Sequence, residues 1–255
     1  MLEYFLHKNS NFLKNLYFIN NQNLLRSKYF MVILKESLFG TSCIGVYLAM
    51  NNKFLFYPKS LPKEKFNSLK KIFPKNFSAY EITINQSPLI GIFISMNSNG
   101  MVIPSSINEK EKILLRRIAK ENDMRICELK SPDNAFGNLI LTNDHGGVIS
   151  EELKMYIKSI QSTLNVEIIA LNYAKSRFPG SAGVVNNKGC CIHPMVTEEE
   201  ISILSDLLKV QVDVSTVNTG DPFVKTGAIV NDFIGIFGRD CSGPEMMRLT
   251  NVLKL

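Results

Sequence analysis

Three stretches of the chain hold residue types that could do chemistry. Gly137–Ser150 reads GNLILTNDHGGVIS and sets Asp144, His145, Gly146 and Gly147 side by side. A carboxylate beside an imidazole is acid–base material, and paired glycines could cradle a phosphate. The P-loop spacing and its lysine are missing, however. Asn143–Gly147 also has the make-up of a tight turn, with glycine for positive φ and Asn or Asp tolerant of αL. The run Cys190-Cys191-Ile192-His193 suggests a metal or a nucleophile. Its spacing fits no zinc pattern, and no second Cys/His pair completes four ligands. It reads better as a strand, with Cys190 and Ile192 on one face and Cys191 and His193 on the other. Cys241 stands just before a helix N-cap, where the dipole and free N–H groups can lower a thiol pKa. With His145 and Asp144 it is the one catalytic set that could be constructed, although no motif places a general base beside it.

The elements that would position these residues repeat. An apolar strand follows a turn and ends at Pro58 (NNKFLFYP), Pro104 (SNGMVIP), Ser150 (DHGGVIS), Pro194 (NKGCCIHP) and Gly238 (NDFIGIFG). Successive steps are 46, 46, 44 and 44 residues, so five units cover the chain from Met31. Each mark precedes an amphipathic helix with its own start signal: Pro62 near the first turn, Asn108 and Ser150 as N-caps, and the capping boxes Thr197…Glu200 and Ser242…Glu245. Alternating strands follow at Tyr80–Ile84, Met124–Cys127, Val166–Ile169 and Val210–Val214. The fifth helix has no such strand, whereas Met31–Ser37 at the other end reads like one. The expectation is an α/β fold, a five-fold pseudosymmetric propeller closed by the N-terminal strand pairing into the last unit. Closure leaves only short, protected sheet edges.

Composition narrows the class. At 255 residues with 45% hydrophobic and 20% charged residues, the chain matches a soluble globular protein. It has no apolar run near the 18–20 residues, roughly, that a membrane span needs. Five scattered cysteines without a CxxC pair or a secretory signal point to a reduced, cytoplasmic setting. The net charge is +6, of which residues 1–30 hold +3, so the remainder is only mildly basic. Residues 1–30, rich in Asn and without clean periodicity, read as an N-terminal extension, weakly ordered or an upstream start, with a basic arm as the lesser reading. Residues 31–255 form the single propeller domain.

The motifs GNLILTND (Gly137–Asp144), NNKGCCIHP (Asn186–Pro194), STVNTGDP (Ser215–Pro222), GAIVND (Gly227–Asp232) and SGPE (Ser242–Glu245), in this order and spacing, resemble the translation initiation factor 6 family. The resemblance spans the whole ring. It implies the five-unit propeller called a pentein, and a ribosome anti-association factor that binds the joining face of the large (50S) subunit near the sarcin–ricin loop. The partners implied are ribosomal proteins and rRNA, and in this family there is also a link to subunit maturation. It implies no enzymatic activity, cofactor, metal, membrane or free nucleic acid, and a monomer. The chain stops soon after the fifth helix, which suits the archaeal type. Cys241 stands where the family usually has Thr.

Candidate contacts follow from the repeat. Asn51, Asn52, Asn97, Asn99, Asn143, Asn186, Asn187, Asn231 and Asp232 sit at equivalent turns, which pseudo-symmetry places on one face. Turn chemistry accounts for many of them. Adaptable hydrogen bonding at this polar face makes Asn143, Asn186, Asn187, Asn231 and Asp232 candidates for a ribosomal surface, joined by Gly137, Asn138, Thr216 and Asn218 from the family motifs. Lysines and arginines on the first two helices read as solvated faces or as phosphate attraction. The other readings are a pentein-fold guanidino-modifying hydrolase or transferase using Cys241 and His145, and a generic protein-binding scaffold.

Overall fold

The computed structural model describes residues 32–255, so the expectations for residues 1–30 lie outside the described residues. Strand β1 (Val32–Glu36) comes first. Four units then follow, each a hairpin, a helix and a returning strand. They are β2 (Ala49–Met50), β3 (Phe54–Pro58), α1 (Lys63–Lys70) and β4 (Ser78–Ile82); β5 (Ser95–Met96), β6 (Gly100–Pro104), α2 (Glu109–Glu121) and β7 (Arg125–Leu129); β8 (Ile140–Thr142), β9 (Gly146–Ile149), α3 (Ile157–Leu164) and β10 (Glu167–Ala170); β11 (Gly183–Val185), β12 (Gly189–Ile192), α4 (Glu198–Leu208) and β13 (Gln211–Val214). The last unit has β14 (Ala228–Val230), β15 (Ile234–Gly238) and α5 (Gly243–Leu253).

Each unit is a three-stranded sheet with its hairpin antiparallel and its helical crossover parallel, as in β2-β3-β4. The fifth sheet takes β1 as its third strand, parallel to β15 from Val32↔Ile234 to Glu36↔Gly238. The ring therefore closes as expected. Glu36, 5% exposed, locks the seam: its carboxylate accepts from Lys65 Nζ (2.7 Å) and Arg239 Nη2 (3.2 Å), and its carbonyl from the Arg239 N–H (2.9 Å). Burial alone would raise the Glu36 pKa, but the bonds from Lys65 and the Ser37 N–H outweigh it and the pKa is lowered.

Each helix packs against the preceding unit's middle strand as well as its own sheet. Leu153, Ile160 and Leu164 thus share a core with Val102 of β6, and Leu69 and Ile72 with Ile234 and Ile236 of β15. Alternation in β12 follows the expected split. Cys190 and Ile192 face the cluster holding Leu204 and Leu208, and Cys191 faces that of Leu249 and Val252.

Several local expectations shift. Leu139 ends a one-turn helix, Phe136–Leu139, and only then does β8 begin. Ser150 makes no backbone capping bond, its hydroxyl donating to Glu152 instead, and a 3₁₀ stretch (Glu151–Tyr156) precedes α3. Pro62 is itself the N-cap of α1 rather than a first-turn residue. Asn108 and both capping boxes form as read.

Candidate functional site

The innermost strands β2, β5, β8, β11 and β14 surround the pseudo-fivefold axis, and the candidate residues gather at its two ends. At one end, the first asparagine of each hairpin turn reaches to the next turn. Asn51 Nδ2 donates to Asn97 O (3.0 Å), Asn97 to Asn143 O (3.0 Å), Asn143 to Asn186 O (3.1 Å), Asn186 to Asn231 O (3.1 Å), and Asn231 back to Asn51 O (3.0 Å). The circuit is closed. Asn97, Asn143 and Asn186 use their second amide hydrogen to cap a helix C-terminus, at Leu164 O (2.8 Å), Leu208 O (2.9 Å) and Leu253 O (3.0 Å). Each Oδ1 accepts two N–H groups of its own turn, as Asn143 does from His145 and Gly146 (both 3.0 Å). The five are between 3% and 5% exposed.

This corrects part of the expected contact surface. Asn143 and Asn186 are buried staples with both amide hydrogens engaged, and buried Asn231 has one engaged, with Asn51 O, so the burial speaks against these three as direct contacts. A second tier lies over them. Asn187 Nδ2 bridges Asp144 Oδ2 (2.7 Å) and Asp232 Oδ2 (2.9 Å), Asn52 Nδ2 bridges the same two atoms (3.3 and 2.7 Å), and the Ser98 hydroxyl donates to Asp144 (2.7 Å). Asn187 and Asp232 are half-buried and remain at the surface, but their polar atoms are spent on each other.

Gly137 and Asn138 lie at the opposite end, because β8 runs between them and Asn143. The expected single face is thus two. Here one-turn helices meet around the axis, and glycine lets them touch. A Cβ at Gly137 would sit 2.0 Å from Gly91 O, and one at Gly91 2.0 Å from Gly45 O. Asn138 is half-buried, and its side-chain amide has no hydrogen-bond partner among the described residues.

Thr216 and Asn218, both half-buried, also carry framework bonds. The Glu245 carboxylate, at N3 of α5, accepts from Ser242 N (2.7 Å), Thr216 Oγ1 (2.8 Å), Gly220 N (2.9 Å) and Thr219 N (3.1 Å). Asn218 Nδ2 donates to Ser42 O (3.1 Å), tying the last loop to the loop after β1. Burial pushes the Glu245 pKa up, but these donors prevail and hold it at about 2. The folded value lies below the unfolded one, so the stabilisation is present above pH 4.5 or so and is lost as pH falls towards 2. Glu245→Gln is expected to cost about 2–3 kcal/mol at pH 7 and to flatten the acid limb of stability between pH ~5 and ~2. Urea denaturation across that range checks it; a parallel loss at all pH values would refute the linkage.

The catalytic set is not assembled. Cys241 lies past the end of β15, whereas exposed His145 lies in the turn before β9, among the asparagine turns that also precede β15. A strand of five residues, about 16 Å long, separates those levels. Cys241 is 2% exposed, and burial raises its pKa, contrary to the lowering expected from the helix start. Its sulfur sits 3.3 Å from the Asn218 N–H. Burial likewise raises Cys190 and Cys191, the latter to about 12. His193 Nδ1 accepts from Met195 N (3.1 Å) in a buried site that lowers its pKa. Among the described residues no group of His, Cys, Asp and Glu could hold a metal ion.

One residue escaped the sequence reading. The one-turn helices carry Gly45, Gly91, Gly137 and Gly180 at equivalent second positions, and the fifth carries Lys225. Aligning the units helix by helix would have exposed the exception.

Five closed α/β units around an asparagine-stapled axis define an α/β propeller of the pentein type. The eIF-6 family model matches residues 33–252. Translation initiation factor 6 of Methanococcus maripaludis (strain S2) is 36% identical over 227 residues, 88% of this chain and 99% of that protein. The same-named proteins of Methanocaldococcus jannaschii and Saccharolobus islandicus (strain L.S.2.15) are 33% and 37% identical over the same length and shares. The chain belongs to the eIF-6 family.

Proposed function

We propose that this protein is a translation initiation factor that binds the large ribosomal subunit and keeps the small subunit from joining it. It does so as a cytoplasmic monomer, without chemistry or a cofactor, and the same docking would serve subunit maturation. The family membership and the relatives' name, Translation initiation factor 6, support the translational part. A closed ring stapled at every turn supports the exclusion part, because a preformed surface lowers the ordering cost of binding. The glycine-walled end is the better docking end. At the asparagine end the Asn and Asp side chains are largely satisfied by one another, while Asn138 offers an unengaged amide. Asn138 is the observation that carries this choice.

Charge favours an RNA-containing partner. Residues 59–81 hold six lysines against two glutamates, while the rest of residues 32–255 holds 19 Lys and Arg against 20 Asp and Glu. On α2, Lys112, Arg116 and Arg117 pair with Glu109, Glu128 and Glu121, whereas Lys63, Lys70, Lys71 and Lys75 are exposed and form no ion pair among the described residues.

Cosedimentation with purified large subunits, and none with small ones, is the expected result. Asn138→Ala is expected to weaken that binding by roughly 1 kcal/mol, about five-fold, with thermal stability unchanged. Absence of large-subunit binding would overturn the function, and unchanged affinity in Asn138→Ala would overturn the choice of end.

A further inference from the structure

Lys225 is the one long side chain in a tier that four other units build from glycine. Its side chain lies between two spaces on the axis. Outside it is a 20 Å³ hollow with Asn138, Ser181 and Thr226. Inside it is an 80 Å³ cavity walled by the inner strands. The Lys225 ammonium donates to Gly137 O and has no acidic partner among the described residues. No other residue lining either space is titratable or charged. An ammonium carries three donors, so one carbonyl leaves it under-satisfied. Ser95 and Thr142 also line the inner cavity, and its walls are edge strands whose axial sides have no sheet partner. Its volume exceeds the ~10–15 Å³ that one water needs.

We propose that the axial cavity is a binding site for a small monovalent inorganic anion of halide size, held by the Lys225 ammonium. Lys225 is half-buried by exposure, but its ammonium stands against largely apolar walls, where a cation without a counter-charge is costly and an anion admitted beside it removes part of that cost. The Ser95 hydroxyl is committed to Ile140 O (3.3 Å) and the Thr142 hydroxyl to Asn143 O and Gly146 O (both 3.0 Å), so the ammonium is the donor that holds the ion. Selectivity follows from size, since nothing as large as a nucleotide fits the cavity.

Burial lowers the Lys225 pKa to about 7. The folded value lies below the unfolded one, so the cost of the buried charge is full below pH ~7 and disappears as pH rises through the interval up to the unfolded value. The anion therefore binds the charged form, at pH 6 and not at pH 9. Release on raising the pH follows from the same linkage.

The test uses bromide as probe on crystals of the full chain at pH 6 and pH 9, read by anomalous scattering. A bromide peak within hydrogen-bond distance of Lys225 Nζ at pH 6, lost at pH 9, is the expected result. In solution, bromide is expected to raise the melting temperature at pH 6 more than fluoride or a bulky sulfonate at equal ionic strength. That difference should vanish in Lys225→Met and in Lys225→Gly, which restores the residue of the other units. No peak at pH 6, or the same peak in Lys225→Met, overturns the proposal. If neither variant folds, a wild-type peak that persists at pH 9 overturns it equally. None of these readouts involves ribosomes, so the outcome is independent of the proposed function.

Discussion

Asn143→Ala is expected to lower the unfolding free energy by about 4 kcal/mol, with folding still cooperative. The side chain makes four hydrogen bonds: from the His145 and Gly146 N–H groups, and to Asn186 O and Leu208 O. Its removal orphans two donors and two acceptors in a site only 5% exposed. Each unsatisfied buried group costs ~1–3 kcal/mol. A water entering the vacated volume would recover part of this, so the total falls below the sum. Asn143→Asp is expected to be no milder at neutral pH, because a carboxylate oxygen would then face two carbonyl oxygens. Asn231→Ala is expected to cost less than Asn143→Ala, since Asn231 Nδ2 bonds Asn51 O and no helix end. Urea titrations of the three variants test the order. Equal losses for Asn231→Ala and Asn143→Ala would show that the helix-end bond is energetically idle.

Gly189→Ala is expected to cost about 3 kcal/mol or more, or to prevent folding at physiological temperature. A Cβ at Gly189 would lie 1.8 Å from Val252 O, in the last turn of α5. No rotamer change relieves a contact with a carbonyl, so the helix must move as a body, against the Asn186 bond to Leu253 O. The same device recurs at Gly100 against Thr163 O and at Gly146 against Leu207 O, both 2.2 Å. Gly147→Ala is the informative contrast. Its Cβ would meet the Ile168 Cδ1 at 2.7 Å and the side chain of Thr142. The far end of an isoleucine can shift, so a loss of about 1 kcal/mol is expected. Thermal unfolding of the pair measures the difference. A Gly189→Ala protein as stable as wild type would mean that the helix is not seated as closely as described.

The sequence by itself determined a great deal here. A spacing of 44–46 residues between similar turns, amphipathic helices after each, and an unpaired strand at the front specified five units and the closure of the ring. These are legible because periodicity and capping act within a few residues: Thr197 bonds Glu200 N, and Ser242 bonds Glu245 N, inside one helical turn. The turn asparagines were legible in the same sense, since each accepts from N–H groups two and three residues on.

What only the tertiary structure decided is the other half of each asparagine. Its amide hydrogens go to carbonyls 43 and 65 residues away for Asn143, in the next unit. No local pattern reveals that, and it converts residues read as surface contacts into buried staples. The split of the candidates between two ends of the axis has the same origin, because a three-residue strand separates Asn138 from Asn143 in space while the motif joins them in sequence. Cys241 shows the physical reason most plainly. Its neighbours in the chain predict a lowered thiol pKa from the helix start, but its neighbours in space bury it and raise it. Charge, burial and contact are properties of the packed ring, and they are settled by residues that the chain brings together from other units.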